Sequence, residues 1–308
     1  MVDGRNHLQA GVLGASGLIG QGIYRVLAKA GGAVSIGRTA AMQRQCDIDE
    51  PLQAGTFSSL DTLVYAAGLR DEDMLTGGEN AARKAADTAL RRAEHVFECA
   101  LQAGCKKLVY ISSAHVYGAL QGTITEDTAL APQSLYAETH TAVEMLAASK
   151  AVEAGGRCLI LRPNAVYGMT FDPARFARWN LIPFSFPLAA IRHSQLEVRA
   201  PHAGRNFVSS MDIGVYVKAW LENKTAPQVQ FLNPLGADTL TIGAFAAKCA
   251  KVAEQLTGTK VALKYGNSAA PAFLYASKYE KVTLTETIDD FLPVYARFCL
   301  EADVPPKC

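Results

Sequence analysis

The sequence predicts an α/β protein built on a doubly wound parallel sheet with a smaller, mixed C-terminal lobe, and three observations carry that prediction. Short apolar runs of strand length alternate with longer helical patterns through the first half of the chain. A glycine-rich turn, Gly14-Ala15-Ser16-Gly17-Leu18-Ile19-Gly20, separates the first strand from the first helix. Beyond Gly168 the alternation gives way to a Pro- and Phe-rich stretch and then to mixed elements.

The elements follow in order. Residues 8–13 are a short apolar run, and 18–30 carry helical spacing, which reads as strand, tight turn, helix. Further strand-like runs lie at 33–36, 62–66, 107–111 and 157–161, with helical segments at 81–103 and 134–154 between several of them. Strands without polar alternation need cover on both faces, which a parallel sheet wrapped by helices supplies. The Pro/Phe-rich stretch is 171–190. A β-like piece at 196–199 and a helix at 210–222 follow, then helices at 240–256 and 285–300 joined by a strand around 260–264. The expected division is a dinucleotide-binding domain over 1–168, to which 205–228 returns, and a smaller substrate lobe from 169–204 and 229–308.

Composition narrows the function classes. At 308 residues with 49% hydrophobic side chains, the chain can bury a full core. Thirty basic against 29 acidic residues give a net charge of +1, so no global field draws it to nucleic acid or an anionic membrane. Cys46, Cys99, Cys105, Cys158, Cys249, Cys299 and Cys308 form no CxxC pairs, and His7, His95, His193 and His202 share no ligand spacing, so no metal site is expected. With reduced cysteines, no signal-like N-terminus and no membrane-length apolar run, the expectation is a soluble cytoplasmic protein.

The glycine turn carries the first functional expectation. After a strand and before a helix, glycines at 14, 17 and 20 permit a sharp bend and let a pyrophosphate reach backbone amides, with Ser16, Leu18 and Ile19 beside them. A Rossmann-like, nicotinamide-dinucleotide-binding sheet is the expectation. The second strand ends Ile36-Gly37-Arg38, without the carboxylate that would pair with an NAD ribose. Arg38 is either a solvated charge or a partner for a 2′-phosphate, which favours NADP(H) and leaves NAD(H) open. Asp47 and Ile48 suit an adenine edge, and Ala66-Ala67-Gly68 a small-residue strand end against the cofactor.

Ser112-Ser113-Ala114-His115-Val116-Tyr117-Gly118, the glycine turn, Tyr136 four residues before His140, and Leu161-Arg162-Pro163-Asn164-Ala165-Val166-Tyr167-Gly168 occur in a fixed order. Together they resemble the extended short-chain dehydrogenase/reductases, the NAD-dependent epimerases and dehydratases of nucleotide sugars, from about Leu8 to Leu221. The resemblance implies that Ser113 orients the reacting oxygen and Tyr136 moves its proton, chemistry that a hydroxyl and a phenol can perform. It implies cofactor contacts from Pro163 and Val166, and nucleotide-diphosphate contacts from Asn164, Asn180, Leu181 and Arg205. The second, late arginine of the family is not evident between Ala270 and Lys281, where Lys264 or Lys278 are the substitutes at hand.

The departure is His140. The family places lysine there, to hold the nicotinamide ribose and depress the tyrosine pKa, and Glu144 one turn later fixes the register. A cation about 6 Å from a phenol, at an effective dielectric near 20, is worth roughly 2–3 kcal/mol, or about two pKa units. Neutral imidazole supplies little of that. His140 either joins the site, lying one turn from Tyr136, or only packs the helix. His115 stands where related dehydratases carry a glutamate, which argues against 4,6-dehydration. It is either an acid/base facing the substrate or a structural donor.

The expected function is reversible hydride transfer on a nucleotide-linked sugar, as an oxidoreductase, isomerase or epimerase. Two alternatives stand beside it: a non-catalytic NADP-binding sensor or scaffold, and a reductase of a non-nucleotide ketone. By analogy with the family, helices 81–103 and 134–154 pair in a homodimer.

Overall fold

Apolar runs of four or five residues become the strands of one parallel sheet because each is buried on both sides. The computed structural model describes residues 9–53, 55–68, 78–170, 176, 178–269, 271 and 273–301; His7, Leu8 and Cys308 lie outside the described residues. Its seven-stranded sheet runs β11 (Val229–Leu232), β7 (Arg157–Leu161), β5 (Lys107–Ile111), β4 (Thr62–Tyr65), β1 (Ala10–Leu13), β2 (Ala33–Gly37) and β3 (Arg44–Gln45), all parallel. The register aligns the carboxyl ends: Leu13 pairs with Ile36 and Tyr65, Tyr65 with Tyr110, and Ile111 with Leu161.

Successive residues serve opposite faces. Leu13, Leu63, Tyr65, Leu108 and Tyr110 pack with Val96 and Phe97 of α2 (Gly78–Gln102) and Val143 and Ala147 of α3 (Leu135–Glu153). Val12, Val64, Val109 and Leu159 pack with Ile23 and Leu27 of α1 (Leu18–Lys29) and Ile213 and Val217 of α5 (Ser210–Glu222). Each such side chain contributes about 1.5–3 kcal/mol of burial. Helices α1 and α5 touch backbone to backbone, since a Cβ on Gly22 would lie 2.3 Å from the Ser210 carbonyl oxygen.

The rest of the chain builds a second core. Helix α4 (Ile182–His193) arises from the Pro/Phe-rich stretch, to which the sequence pattern assigns no element. Pro183 sits in the first turn, where a missing N–H costs nothing, and Pro187 forgoes one helical hydrogen bond for a buried position. It packs with α6 (Ile242–Thr257) and α7 (Ile288–Glu301) around Phe184, Phe207, Phe245, Phe291 and Tyr295. Strands β8 (Ala165–Tyr167), β10 (Gly204–Ser209) and β12 (Asp238–Thr241) form a three-stranded sheet beside them. Two-stranded pairs join β9 (Gln195–Val198) to β13 (Ala262–Tyr265) and β6 (Gly122–Ile124) to β14 (Phe273–Tyr275). The main sheet claims Val229–Leu232, inside the segment expected in the smaller lobe, because these residues complete an edge beside β7. Conversely, β10 hydrogen-bonds to β8 and β12 rather than to the main sheet, while its Val208 and the following α5 pack in the core on one face of that sheet. Among the described residues no helix is long and apolar enough to cross a membrane, and no group of His, Cys, Asp or Glu could hold a metal.

Candidate active site

The site starts where β1 ends. Gly14 has φ +88°, and a Cβ there would lie 2.6–2.7 Å from the backbone of Ala66 and Ala67, so only glycine lets the turn press against the end of β4. A Cβ on Gly20 would lie 2.2 Å from the Gly14 carbonyl oxygen, to which the Gly17 N–H donates at 2.9 Å. Gly17 is the N-cap of α1; no side chain caps that helix and no acid lies in its first turn, so Leu18 and Ile19 offer their N–H groups to an anion. Ser16 and Gly17 are exposed, and Ala66, Ala67 and Gly68 line the neighbouring strand end with little bulk. This cradle fits a dinucleotide pyrophosphate.

Around it, Arg38 is exposed after β2; its carbonyl accepts from the Gln45 amide at 3.0 Å, and among the described residues nothing engages its guanidinium. Asp47 accepts the Asp49 N–H at 3.1 Å, closing a loop that seats Ile48 against the core.

The chemistry-bearing side chains gather past β5. Ser113 caps a 3-10 turn, Ala114–Tyr117, its hydroxyl accepting from the His115 N–H at 3.3 Å, and Pro163 anchors that turn by accepting the Ala114 N–H at 3.0 Å. Ser134 caps α3 through the Ala137 N–H at 3.3 Å, which sets Tyr136 in the first turn. Tyr136 then lies between two imidazoles, with ring centroids 5.9 Å from exposed His115 and 4.6 Å from His140, both edge-on. Of the two positions open to His140, the structure places it against Tyr136.

His140 is 3% exposed, and its Nδ1 lies 2.6 Å from the Tyr110 hydroxyl. Nε2 is buried without a hydrogen-bond partner among the described residues. Burial pushes its pKa down to about 3, helped by the charges of His115 and Arg178, so the ring is neutral at physiological pH. His140 therefore presents beside Tyr136 a polar atom without a charge. An orphaned buried nitrogen beside Tyr136, with the glycine cradle on β1, fits the ribose end of a nicotinamide nucleotide.

One turn further, Glu144 is fully buried and grips Arg162 with two bonds, Nε to Oε1 at 3.0 Å and Nη2 to Oε2 at 2.6 Å. The Ser112 hydroxyl donates to the same carboxylate at 2.5 Å. Arg162 donates to the Tyr117 hydroxyl at 3.0 Å, Tyr117 donates to Asn233 Oδ1 at 2.8 Å, and the single Tyr275 O–H is shared between Asn233 Oδ1, 2.9 Å away, and the Arg162 carbonyl. This network clamps β5, α3, β7 and β14 beneath Ser113 and Tyr136. Sequence reasoning missed Tyr110, Asn233 and Tyr275. Arg162 at the end of an apolar strand signals Glu144, since a buried guanidinium needs an acid, but carries no signal for these three neutral residues.

The expected substrate side is more dispersed. Asn164 accepts the Asn206 N–H at 2.9 Å, tying β8 to β10, and Val166 is half-buried in β8. Asn180 is exposed, and Leu181 is the N-cap of α4. Arg205 is half-buried, donates to the Gly204 carbonyl at 2.7 Å, and has no carboxylate partner among the described residues; burial lowers its pKa. Lys278 pairs with Asp127 at 2.5 Å, and Lys264 lines a surface cleft with Glu197 and Arg199.

A profile of the NAD dependent epimerase/dehydratase family matches residues 10–226. The chain belongs to that family of enzymes. Epimerase/dehydratase structures share its whole fold at low identity. MoeE5 in complex with UDP-glucuronic acid and NAD superposes with TM-score 0.71 at 20% identity, covering 94% of this chain and 99% of that one. UDP-glucuronic acid 4-epimerase from Bacillus cereus, with UDP-glucuronic acid and NAD, reaches 0.75 at 17% identity, covering 94% and 98%. TunA, an NAD-dependent NDP-hexosamine 5,6-dehydratase involved in tunicamycin biosynthesis, reaches 0.69 at 18%, covering 96% and 99%. No curated protein matches by sequence.

Proposed function

We propose that this family member is a nicotinamide-dependent oxidoreductase or epimerase acting on a nucleotide-linked sugar by reversible hydride transfer. The observation that carries the reading is the row His115, Tyr136, His140 at the carboxyl end of β5, beside a glycine cradle at the end of β1. The relatives solved with a UDP-sugar and NAD support it.

Bound nicotinamide supplies the hydride acceptor or donor. Ser113 orients the sugar oxygen by hydrogen bonding, and the Tyr136 hydroxyl takes or returns its proton. His140 Nε2 holds a ribose hydroxyl, and Arg205, a cation without a carboxylate partner among the described residues, takes the diphosphate. Exposed His115 is the second group that can move a proton on the substrate side. Arg38, exposed after β2 and without a partner for its guanidinium among the described residues, favours the 2′-phosphate of NADP(H), with NAD(H) as the other candidate. Exposed Met145 and Val152, seven residues apart on α3, are the apolar surface a homodimer through α2 and α3 would cover.

The test is nucleotide binding followed by incubation with UDP-glucose and UDP-glucuronic acid. Both cofactor absorbance and sugar products are followed, because an epimerase leaves no net reduced cofactor. Absence of any conversion across about pH 5.5 to 9, despite bound cofactor, sinks the enzymatic reading. The neutrality of His140 favours one second reading, a cofactor-binding sensor, since the charge that activates Tyr136 is missing from its usual place.

A further inference from the structure

Tyr110 sits near the carboxyl end of β5, on the face that packs against α3, and is 3% exposed. Its hydroxyl and His140 Nδ1 are 2.6 Å apart, and no other group among the described residues engages that hydroxyl. Burial holds its pKa well above the ordinary phenol range, so the partner of His140 is a neutral O–H.

Two proton arrangements could join these rings. If Nδ1–H donated to the phenol oxygen, the Tyr110 proton would be buried without an acceptor. Nε2 would then be a bare lone pair, also buried. If the phenol donates to Nδ1, Tyr110 leaves only a lone pair, and the imidazole proton lies on Nε2, a donor without a partner among the described residues that a ligand can take up. Either arrangement leaves one buried donor over, but a phenol is a stronger acid than a neutral imidazole N–H, and an imidazole nitrogen is a stronger base than a phenol oxygen. A separation of 2.6 Å is also the spacing of an O–H donor rather than the roughly 2.9–3.0 Å of an N–H donor, so the second arrangement wins.

We propose that Tyr110 is a positioning residue that locks His140 in the Nε2–H tautomer, making it an uncharged donor to a ribose hydroxyl of the nicotinamide nucleotide. The identity of that ligand rests on the proposed function; the tautomer rests on the hydrogen bond alone. The lock explains how an imidazole can replace an ammonium: the hydrogen-bond donor is kept and the positive charge is given up. An unlocked imidazole would divide its population between donor and acceptor faces, and part of it would meet the ribose with the wrong group.

The experiment uses the full chain labelled with ¹⁵N-histidine. Long-range ¹H–¹⁵N correlation reads the tautomer of His140, whose signals are assigned from the Tyr110→Phe and His140→Gln spectra, and NADH and NADPH affinities are measured on the same samples. Expected is an Nε2-protonated ring in the native protein. In Tyr110→Phe, the nitrogen shifts should move toward a tautomer average, and affinity for the preferred nucleotide should fall about two- to tenfold. The wild-type spectrum stands even if a variant fails to fold. An Nδ1-protonated ring in the native protein overturns the lock, as does a tautomer indifferent to Tyr110→Phe. An Nε2–H ring in a protein that binds neither nucleotide instead overturns the nicotinamide reading and the ligand assigned here.

Discussion

The Tyr136 and His140 rings meet edge-on with centroids 4.6 Å apart, one helical turn separating the phenol from an imidazole that stays neutral. Replacing His140 by lysine restores a cation to that turn. The expected outcome is retained or raised activity, with the rise of the oxidative kcat/KM moved to lower pH by about two units. The comparison is of pH profiles for wild type and His140→Lys with one nucleotide sugar. A sensor stays inert in both forms.

The same imidazole makes the fold sensitive to acid. Its folded pKa of about 3 lies below the unfolded value near 6.5, so the unfolded chain binds the proton first as pH falls. The stabilising effect of a neutral His140 is therefore complete above about pH 6.5 and is lost as pH falls toward 3, by about 1.4 kcal/mol per pH unit. Urea unfolding of wild type and His140→Gln between those values checks it. The variant should lose stability less steeply, and parallel curves would refute the assignment.

Glu144→Gln leaves the Arg162 guanidinium buried against a neutral amide. Breaking such a pair from one side costs about 3–5 kcal/mol. Chemical denaturation should show that loss. Because Ser112 shares the carboxylate next to Ser113, turnover should fall in protein that remains folded.

How far the sequence reveals this site depends on the range of each interaction. The β-run at 107–111 and the helical pattern at 134–154 are local, and so is the one-turn spacing that puts His140 beside Tyr136. The Tyr110–His140 hydrogen bond is not local: it needs β5 to turn the face that carries Leu108 and Tyr110 toward α3, which follows from sheet packing rather than from either segment. Glu144 is visible in sequence as a register marker, but its partner Arg162 comes from a strand that pairs beside β5. Helix α4 is hidden because two prolines interrupt any helical pattern in its sequence, although Pro183 occupies a tolerant first turn and Pro187 is buried within the helix. Asn164 reads as a ligand from its motif, while the structure also employs it as a bridge to Asn206.

Arg38 separates the two cofactors. With no acceptor on its guanidinium among the described residues, it should favour NADPH over NADH, and Arg38→Ala should weaken NADPH about ten- to hundredfold, the worth of a charge-assisted hydrogen bond. NADH affinity should barely change. Parallel fluorescence titrations decide, and a wild type that prefers NADH makes Arg38 a solvated surface charge.

Arg205 tests the substrate class independently of the cofactor. It is half-buried on β10, lacks a carboxylate among the described residues, and has its pKa lowered by burial, so the fold maintains a cation it does not neutralise. A diphosphate would supply the missing charge through the planar guanidinium, and no second arginine among the described residues between 271 and 281 shares that load. Arg205→Ala should therefore raise KM for a UDP-sugar by about tenfold or more while leaving NAD(P)H affinity unchanged. Arg205→Lys keeps the charge but loses the fork, and should fall between the two. If Arg205→Ala turns over a simple ketone at the wild-type rate and UDP-sugars are not substrates of either protein, the substrate is a non-nucleotide carbonyl, and Tyr136 performs the same proton transfer on a smaller molecule.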